Sequence, residues 1–310
     1  MFSQAANRVP CVALVTTIGD EIRPMHVPKR YLSLANAPTV TLNNGVTIPQ
    51  LGLGVWQIPD GTVEGVIGSA IEAGYRGIDT ARIYGNEVGV GNAIAEAAGP
   101  RDELFITTKL WNGHQGYDST LREFEGSMAN LRIDVLDLYL IYWPCPANGL
   151  FAETWRAFEK LQAEDRVRAI GVSNFRIEDL QVLFDRFSIV PAINQIELHP
   201  GFQQAELRGF HAEHGIVTES WSPLGHGAAL TSPEICEIAS KHGKTPAQVV
   251  LRWHVQIGAI AIPKSASAAR LAENIDIFDF ELTADDLDLI ASLETGERIG
   301  AEPGSVAMPE

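Results

Sequence analysis

Cysteine is scarce in this chain: Cys11, Cys145 and Cys236 are the only three in 310 residues, an odd number spread far apart. None forms a CxxC pair or a Cys/His ligand spacing, which argues against a disulfide framework or structural zinc and makes a reducing cytoplasm the expected compartment. Positive charge is short too. Lys and Arg total 23 against 39 Asp and Glu, a net charge of −16, so neither nucleic acid nor an anionic membrane surface is expected as a partner. No apolar run reaches the roughly 18 residues a membrane-spanning helix needs. The start of the chain has no charged segment followed by an apolar core and a small-residue cleavage site, so no signal peptide is expected.

A dinucleotide-binding glycine fingerprint is also missing. After the apolar run ending at Trp56 come only Gln57, Ile58, Pro59, Asp60 and Gly61, and Gly89-Val-Gly91 sits inside a helical segment, which excludes the doubly wound nucleotide fold in its usual form. His211 and His214 share a helix face without a third ligand nearby in sequence, so no metal is expected.

What is present is a rhythm. Hydrophobic residues make up 45% of the chain, enough to bury a full core. Eight short apolar runs, Leu51–Trp56, Tyr75–Asp79, Leu104–Lys109, Val135–Tyr142, Arg168–Val172, Ala192–Ile196, Ile216–Trp221 and Ala259–Pro263, alternate with longer amphipathic segments. Helical spacing is clear in Glu87–Ala98, Ser119–Arg132, Leu150–Glu164, Ile177–Phe187, Gln203–His214 and Thr245–Gln256, and Thr245-Pro246 and Thr283 read as helix starts. The alternation predicts an α/β fold, a (β/α)8 TIM barrel occupying 38–310 as one domain. Ahead of it, Asn44-Gly45 between alternating residues predicts an N-terminal β-hairpin lid. Residues 1–37, punctuated by Pro10, Pro24 and Pro28, read as a poorly ordered extension.

In such a barrel the chemistry gathers where the strands end. The run ends supply Trp56, Asp79, Lys109, Tyr142, Ser173 with Asn174, Gln195, Trp221 and Lys264. Alone, Asp79 and Tyr84 read as a helix-proximal cap and a loop anchor. Set among that ring of polar and aromatic groups they read as chemistry: a phenol as proton donor, a lysine lowering its pKa, and an aspartate fixing the lysine. Lys264 and Arg270, beside Ser265 and Ser267 at a helix start, form a cationic anion site in an acidic protein, and a 2′-phosphate explains it, favouring NADP(H) over NAD(H).

The motifs Gly77-Ile-Asp79-Thr-Ala-Arg-Ile-Tyr84-Gly-Asn-Glu87, Thr107-Thr-Lys109-Leu-Trp111-Asn112, Gly171-Val-Ser173-Asn174-Phe175, Asn194-Gln195-Ile-Glu-Leu-His-Pro200 and Ile262-Pro-Lys264-Ser265 give the chain, from about Thr39 to about Gly300, a specific resemblance. It resembles the aldo-keto reductases, and within them the bacterial branch of the 2,5-diketo-D-gluconate reductases. The resemblance implies a barrel, NADPH and reduction of a small-molecule carbonyl substrate, and a monomer is expected. It implies that Ser173, Asn174 and Gln195 hold the nicotinamide carboxamide, that Trp221 stacks on the ring, and that Ser222 and Leu224 lie along the pyrophosphate. Lys264, Ser265, Ser267, Arg270, Glu273 and Asn274 match the adenosine phosphate site. Trp56, Trp111, His114 and Trp143 are the expected substrate contacts, with Cys145 packed nearby.

One position departs from the pattern. Where the family has histidine at the end of the fourth strand, this chain reads Leu140-Ile-Tyr142-Trp-Pro144. A phenol can donate a hydrogen bond to the same carbonyl oxygen but cannot become a cation near neutral pH, and it is bulkier than imidazole. Two consequences compete: Tyr142 orients a differently posed substrate, or it fills the oxygen site and leaves an NADPH-binding protein with little turnover. The intact Asp79, Tyr84 and Lys109 favour the first. A remoter alternative is reduction of an activated carbon–carbon double bond, and His114 is too often a solvated loop residue to be expected as the replacement imidazole.

Overall fold

The structure, a computed structural model, describes residues 37–97 and 99–309. The expected N-terminal extension, Cys11 included, therefore lies almost wholly outside the described residues.

Eight parallel strands form the barrel: β3 (Gly52–Gly54), β4 (Gly77–Asp79), β5 (Phe105–Leu110), β6 (Leu136–Ile141), β7 (Val167–Ser173), β8 (Ile193–Glu197), β9 (Val217–Trp221) and β10 (Ile260–Ala261). They pair in chain order. Parallel bridges from Leu51 to Ala261 and from Gly54 to Lys264 bring the last strand back to the first and close the ring. Gly54 is required at this seam. A Cβ there would meet the Ile262 carbonyl oxygen at 2.9 Å, too close for any side chain.

Strand residues read as near-continuous apolar runs because both faces are covered, the inner by opposing strands and the outer by helices. The helices are α1 (Asp60–Ala73), α2 (Glu87–Glu96), α3 (Tyr117–Leu131), α4 (Phe151–Ala163), α5 (Ile177–Arg186), α6 (Ala205–Glu213), α7 (Pro233–His242), α8 (Pro246–Gln256), α9 (Ala268–Ile275) and α10 (Ala284–Ala291). The helix starts read at Thr245 and Thr283 are both capping boxes, closed by Gln248 and Asp286. Two helices exceed the simple alternation: α7 precedes α8 in the crossover from β9, and α10 packs against α7 with Asp286 bonded to Lys241 and His242.

The hairpin consists of β1 (Thr39–Thr41) and β2 (Thr47–Pro49), paired antiparallel. Leu42 and Ile48 pack against Phe105, Leu138 and Ile193, while Asn43 and Asn44 donate to the carbonyls of Pro191 and Arg168. Those partners lie just before the strands or within their first three residues. The hairpin is therefore a plug at the end opposite the strand exits.

Among the described residues, no helix is long and apolar enough to cross a membrane.

Candidate active site

Asp79 is the last residue of β4, and the chain then makes one 3-10 turn, Arg82–Tyr84. Gly85 ends the turn at φ 67°, a conformation glycine adopts without strain. Asn86 pins it in place: its amide donates to the Val55 and Ile58 carbonyls, and its oxygen accepts from the Thr80 hydroxyl. The turn that presents Tyr84 is thus tied to the exit of β3.

Lys109, on β5, is fully buried. Its ammonium donates to Asp79 Oδ1 at 2.5 Å and to the Thr80 carbonyl at 2.9 Å, and lies 3.5 Å from the Tyr84 hydroxyl. Tyr142 follows β6, and its hydroxyl sits 3.5 Å from that of Tyr84, the rings meeting edge to face at 6.1 Å. Asp79, Tyr84, Lys109 and Tyr142 therefore converge, although they come from three different strand ends. Two hydroxyls 3.5 Å apart can both donate to one further oxygen at ordinary hydrogen-bond length.

The electrostatics correct one expectation. Lys109 was expected to lower the Tyr84 pKa, but the phenol is pushed well above its usual value, first by burial and then by the charge on Asp79. The Asp79 carboxylate beside the ammonium offsets its charge, so in the resting site burial and Asp79 outweigh Lys109. Tyr142 is raised as well, chiefly by burial. Both phenols accordingly keep their protons at neutral pH. The Asp79 carboxyl is raised by burial and pulled back by Lys109 and Gln195.

Gln195, on β8, donates from Nε2 to Asp79 Oδ2 at 2.9 Å and to Glu219 Oε2 at 2.8 Å. Glu219 is almost completely buried on β9 and belongs to this cluster, yet sequence reasoning passed over it. Reading only the last residue of each strand misses groups deeper in the barrel. The signal was available: Glu219 has the same parity as Trp221, whereas Thr218 and Ser220 on either side of it bond outward to His211 on α6 and His254 on α8. His211 also bonds Asn194, so it is a buried packing group.

Further round the mouth, Ser173 donates to the Gln195 carbonyl, Asn174 donates to Ser173 Oγ and to the Tyr142 carbonyl, and the Trp221 indole donates to Asn174 Oδ1 at 2.7 Å. Ser222 lies 3.3 Å from His226, and Leu224 is half-buried beyond it. Gln57, Cys145, Asn174 and Ser222 all have left-handed backbone, and all follow strand exits. Strain thus collects at this end of the barrel. Cys145 is buried, with its thiol pushed up to about 11 by desolvation, so it is a packed group and not a nucleophile.

Of the residues expected to meet substrate, Trp111 and Trp143 flank the Tyr142 ring at 5.6 and 6.4 Å. Trp56 is 44% exposed. His114 is held at 3.5 Å from Glu123, which also lies 3.5 Å from Arg82, and forms no hydrogen bond to Tyr84 or Tyr142.

The residues suit a nicotinamide dinucleotide phosphate. Gln195 directs its amide nitrogen to two carboxyls, and among the described residues nothing donates to its oxygen, which leaves an acceptor for a carboxamide NH2. Lys264 and Arg270 are exposed and form no ion pair among the described residues. Ser267 caps α9, and Ser265 accepts from the Ser267 amide. Glu273 accepts from Thr245, and Asn274 is buried beside it. The phosphate-ready charge and the carboxamide-ready acceptor lie at the ends of β10 and β8, on either side of β9.

The aldo/keto reductase family model matches residues 50–295. An aldo-keto reductase of Mycolicibacterium smegmatis is 55% identical over 267 residues, covering 86% of this chain and 97% of that protein. A glyoxal reductase of Bacillus subtilis is 48% identical, covering 86% and 96%. Among solved structures, a variant of Gox0644 in complex with NADPH is 50% identical with a TM-score of 0.85, covering 88% of this chain and 99% of that one. With a family match over most of the barrel and relatives of this similarity along nearly their whole length, the chain belongs to the aldo/keto reductase family.

Proposed function

We propose that this NADPH-dependent oxidoreductase reduces aldehydes or ketones to alcohols with Tyr84 as the proton donor and Tyr142 as a second hydrogen-bond donor to the same carbonyl oxygen. The observation that carries the reading is the 3.5 Å separation of the two hydroxyls, which suits one shared oxygen between them. NADPH supplies the hydride when bound. Tyr84 gives up its proton to the oxygen as negative charge develops there, and Lys109, 3.5 Å away, stabilises the phenolate left behind. Asp79 holds the lysine in place. A phenol that keeps its proton until an oxyanion forms is the appropriate acid for reduction near neutral pH.

Ser173, Asn174 and Gln195 hold the carboxamide, Trp221 packs on the ring, and Ser222 and Leu224 border the pyrophosphate. Lys264, Ser265, Ser267, Arg270, Glu273 and Asn274 take the adenosine phosphate. Trp111 and Trp143 form an apolar wall beside Tyr142, which suits small substrates, with Trp56 and His114 at the rim. Likeness to the Bacillus glyoxal reductase supports α-dicarbonyls as the first class to test. The protein acts as a monomer in the cytoplasm, where its thiols stay reduced.

The test is NADPH oxidation with a panel of glyoxal, simple aldehydes, ketones and enones. Consumption of NADPH with carbonyls supports the reading. If no carbonyl is turned over while Tyr142→His restores activity, Tyr142 blocks the oxygen site and the native protein only binds the cofactor. Turnover of enones alone would move the chemistry to the carbon–carbon double bond.

A further inference from the structure

The reaction as proposed uses one carboxyl, Asp79, whereas the cluster holds two. Glu219 is buried within the barrel wall, and its hydrogen-bond partner is the same Gln195 nitrogen that reaches Asp79. An amide nitrogen carries two hydrogens, and here each has its own carboxyl oxygen. The orientation of the amide is therefore fixed from both sides. Removing either carboxyl leaves one of these hydrogens without its acceptor and lets the amide turn over.

Among the described residues, the charged and titratable groups facing Glu219 are few. From β4 comes Asp79, from β5 Lys109, and from the turn after β4 Tyr84. β8 contributes the neutral Gln195. The small cavity beneath the cluster is lined by Ile48, Phe105, Thr107, Ile260 and Ile262 beside the two carboxyls, so among the described residues no further cation lines that side. One lysine thus serves two acids.

We propose that Glu219 is a positioning residue that keeps the Gln195 amide oxygen facing the cofactor's carboxamide, and that the presence or absence of its proton sets how strongly the site distinguishes oxidised from reduced nicotinamide. The inference rests on the assignment of Gln195 to the carboxamide. Burial and the neighbouring Asp79 push the Glu219 carboxyl up to about 8, so it carries its proton at neutral pH and the cluster of Asp79, Lys109 and Glu219 is close to neutral. Above that pH the cluster gains a negative charge. The oxidised nicotinamide ring is cationic and the reduced ring is not, so the added charge favours NADP+ over NADPH. The 2′-phosphate titrates in both forms and cancels in their ratio.

The experiment is titration of the indole fluorescence with NADPH and with NADP+ between pH 6.5 and 9.5, for the wild type and for Glu219→Gln. In the wild type the ratio of the NADPH to the NADP+ dissociation constant is expected to rise about tenfold through pH 8, the scale of one unit charge acting across a partly screened site. In Glu219→Gln the ratio is expected to lose that slope. A purely structural role would shift both constants together at every pH. A flat ratio in the wild type, or an unchanged slope in the variant, overturns the proposal. If Glu219→Gln does not fold, Glu219→Met serves as the variant. Failure of the wild type to bind either form would instead remove the cofactor reading on which the proposal stands.

Discussion

At the strand-start end of the barrel, Asp137 on β6 receives Arg101 at 2.6 Å, Arg168 at 2.7 Å and the Ile106 amide at 2.9 Å. At the strand-exit end, Asp79 and Glu219 share one amide nitrogen, and of the two acids Asp79 alone bonds the lysine. Both clusters sit on buried strand residues. In the first, a single acid is matched by two cations whose side chains reach solvent. In the second, acids outnumber cations, the lysine is sealed in, and two phenols stand beside it with their pKa values raised. A structural ion cluster is over-supplied with partners. A cluster left short of them keeps protons available, and that shortage is what chemistry requires.

The contrast can be broken from either side. Tyr84→Phe is expected to lower kcat by about 10²- to 10⁴-fold, with NADPH binding retained and thermal unfolding little changed; full carbonyl reduction by this variant would remove Tyr84 as the donor. At the other end, Asp137→Ala strands two guanidinium groups and the Ile106 amide and is expected to cost about 2–4 kcal/mol of stability. Its turnover per folded molecule should stay at the wild-type level, and denaturant unfolding followed by assay of the folded fraction checks both statements.

Smaller effects sharpen the comparison. Tyr142→Phe keeps the ring and deletes one donor, so kcat/KM should fall by about fivefold to tenfold, the scale of a single hydrogen bond. A variant as fast as the wild type would show that the Tyr142 hydroxyl does not reach the substrate oxygen. The last test concerns pH. Glu219 holds its proton to about pH 8 when folded, against a usual value of 4.5, so the folded chain binds more protons than the unfolded one across that interval and loses stability as pH rises through it. The Tm of Glu219→Gln relative to the wild type should therefore climb from pH 5 to pH 8. His211 and His254, both held down to about 3 by burial, act at the other limb: stability falls as pH drops from about 6.5 towards 3.

The barrel could be read from the chain because parallel strands buried on both faces leave unbroken apolar runs, and because Asp79, Lys109 and Tyr142 stand at or just beyond the ends of theirs. The hairpin was legible from Asn44-Gly45, but which end of the barrel it closes depends on Leu42 and Ile48 finding Phe105 and Leu138, contacts that no local pattern encodes. Glu219 was missed because its importance comes from a partner, Gln195, on the neighbouring strand. The raised pKa of Tyr84 was missed because desolvation belongs to the assembled site. α7 and α10 carry helical patterns of their own, and only the packing shows that they lie outside the eightfold alternation.

The left-handed residues offer a route for protein engineering. Asn174 and Ser222 pay for their conformation with side chains that the proposed cofactor site uses, so glycine there would trade function for comfort. Arg132 and Asp165 adopt the same conformation on exposed turns beyond the ends of α3 and α4, away from the strand exits. Replacing Arg132 with glycine should stabilise the fold by up to about 1 kcal/mol of relieved backbone strain, seen as a higher melting temperature, and leave the kinetics alone. The positions at which this fold can be made sturdier are thus separated from those at which it works.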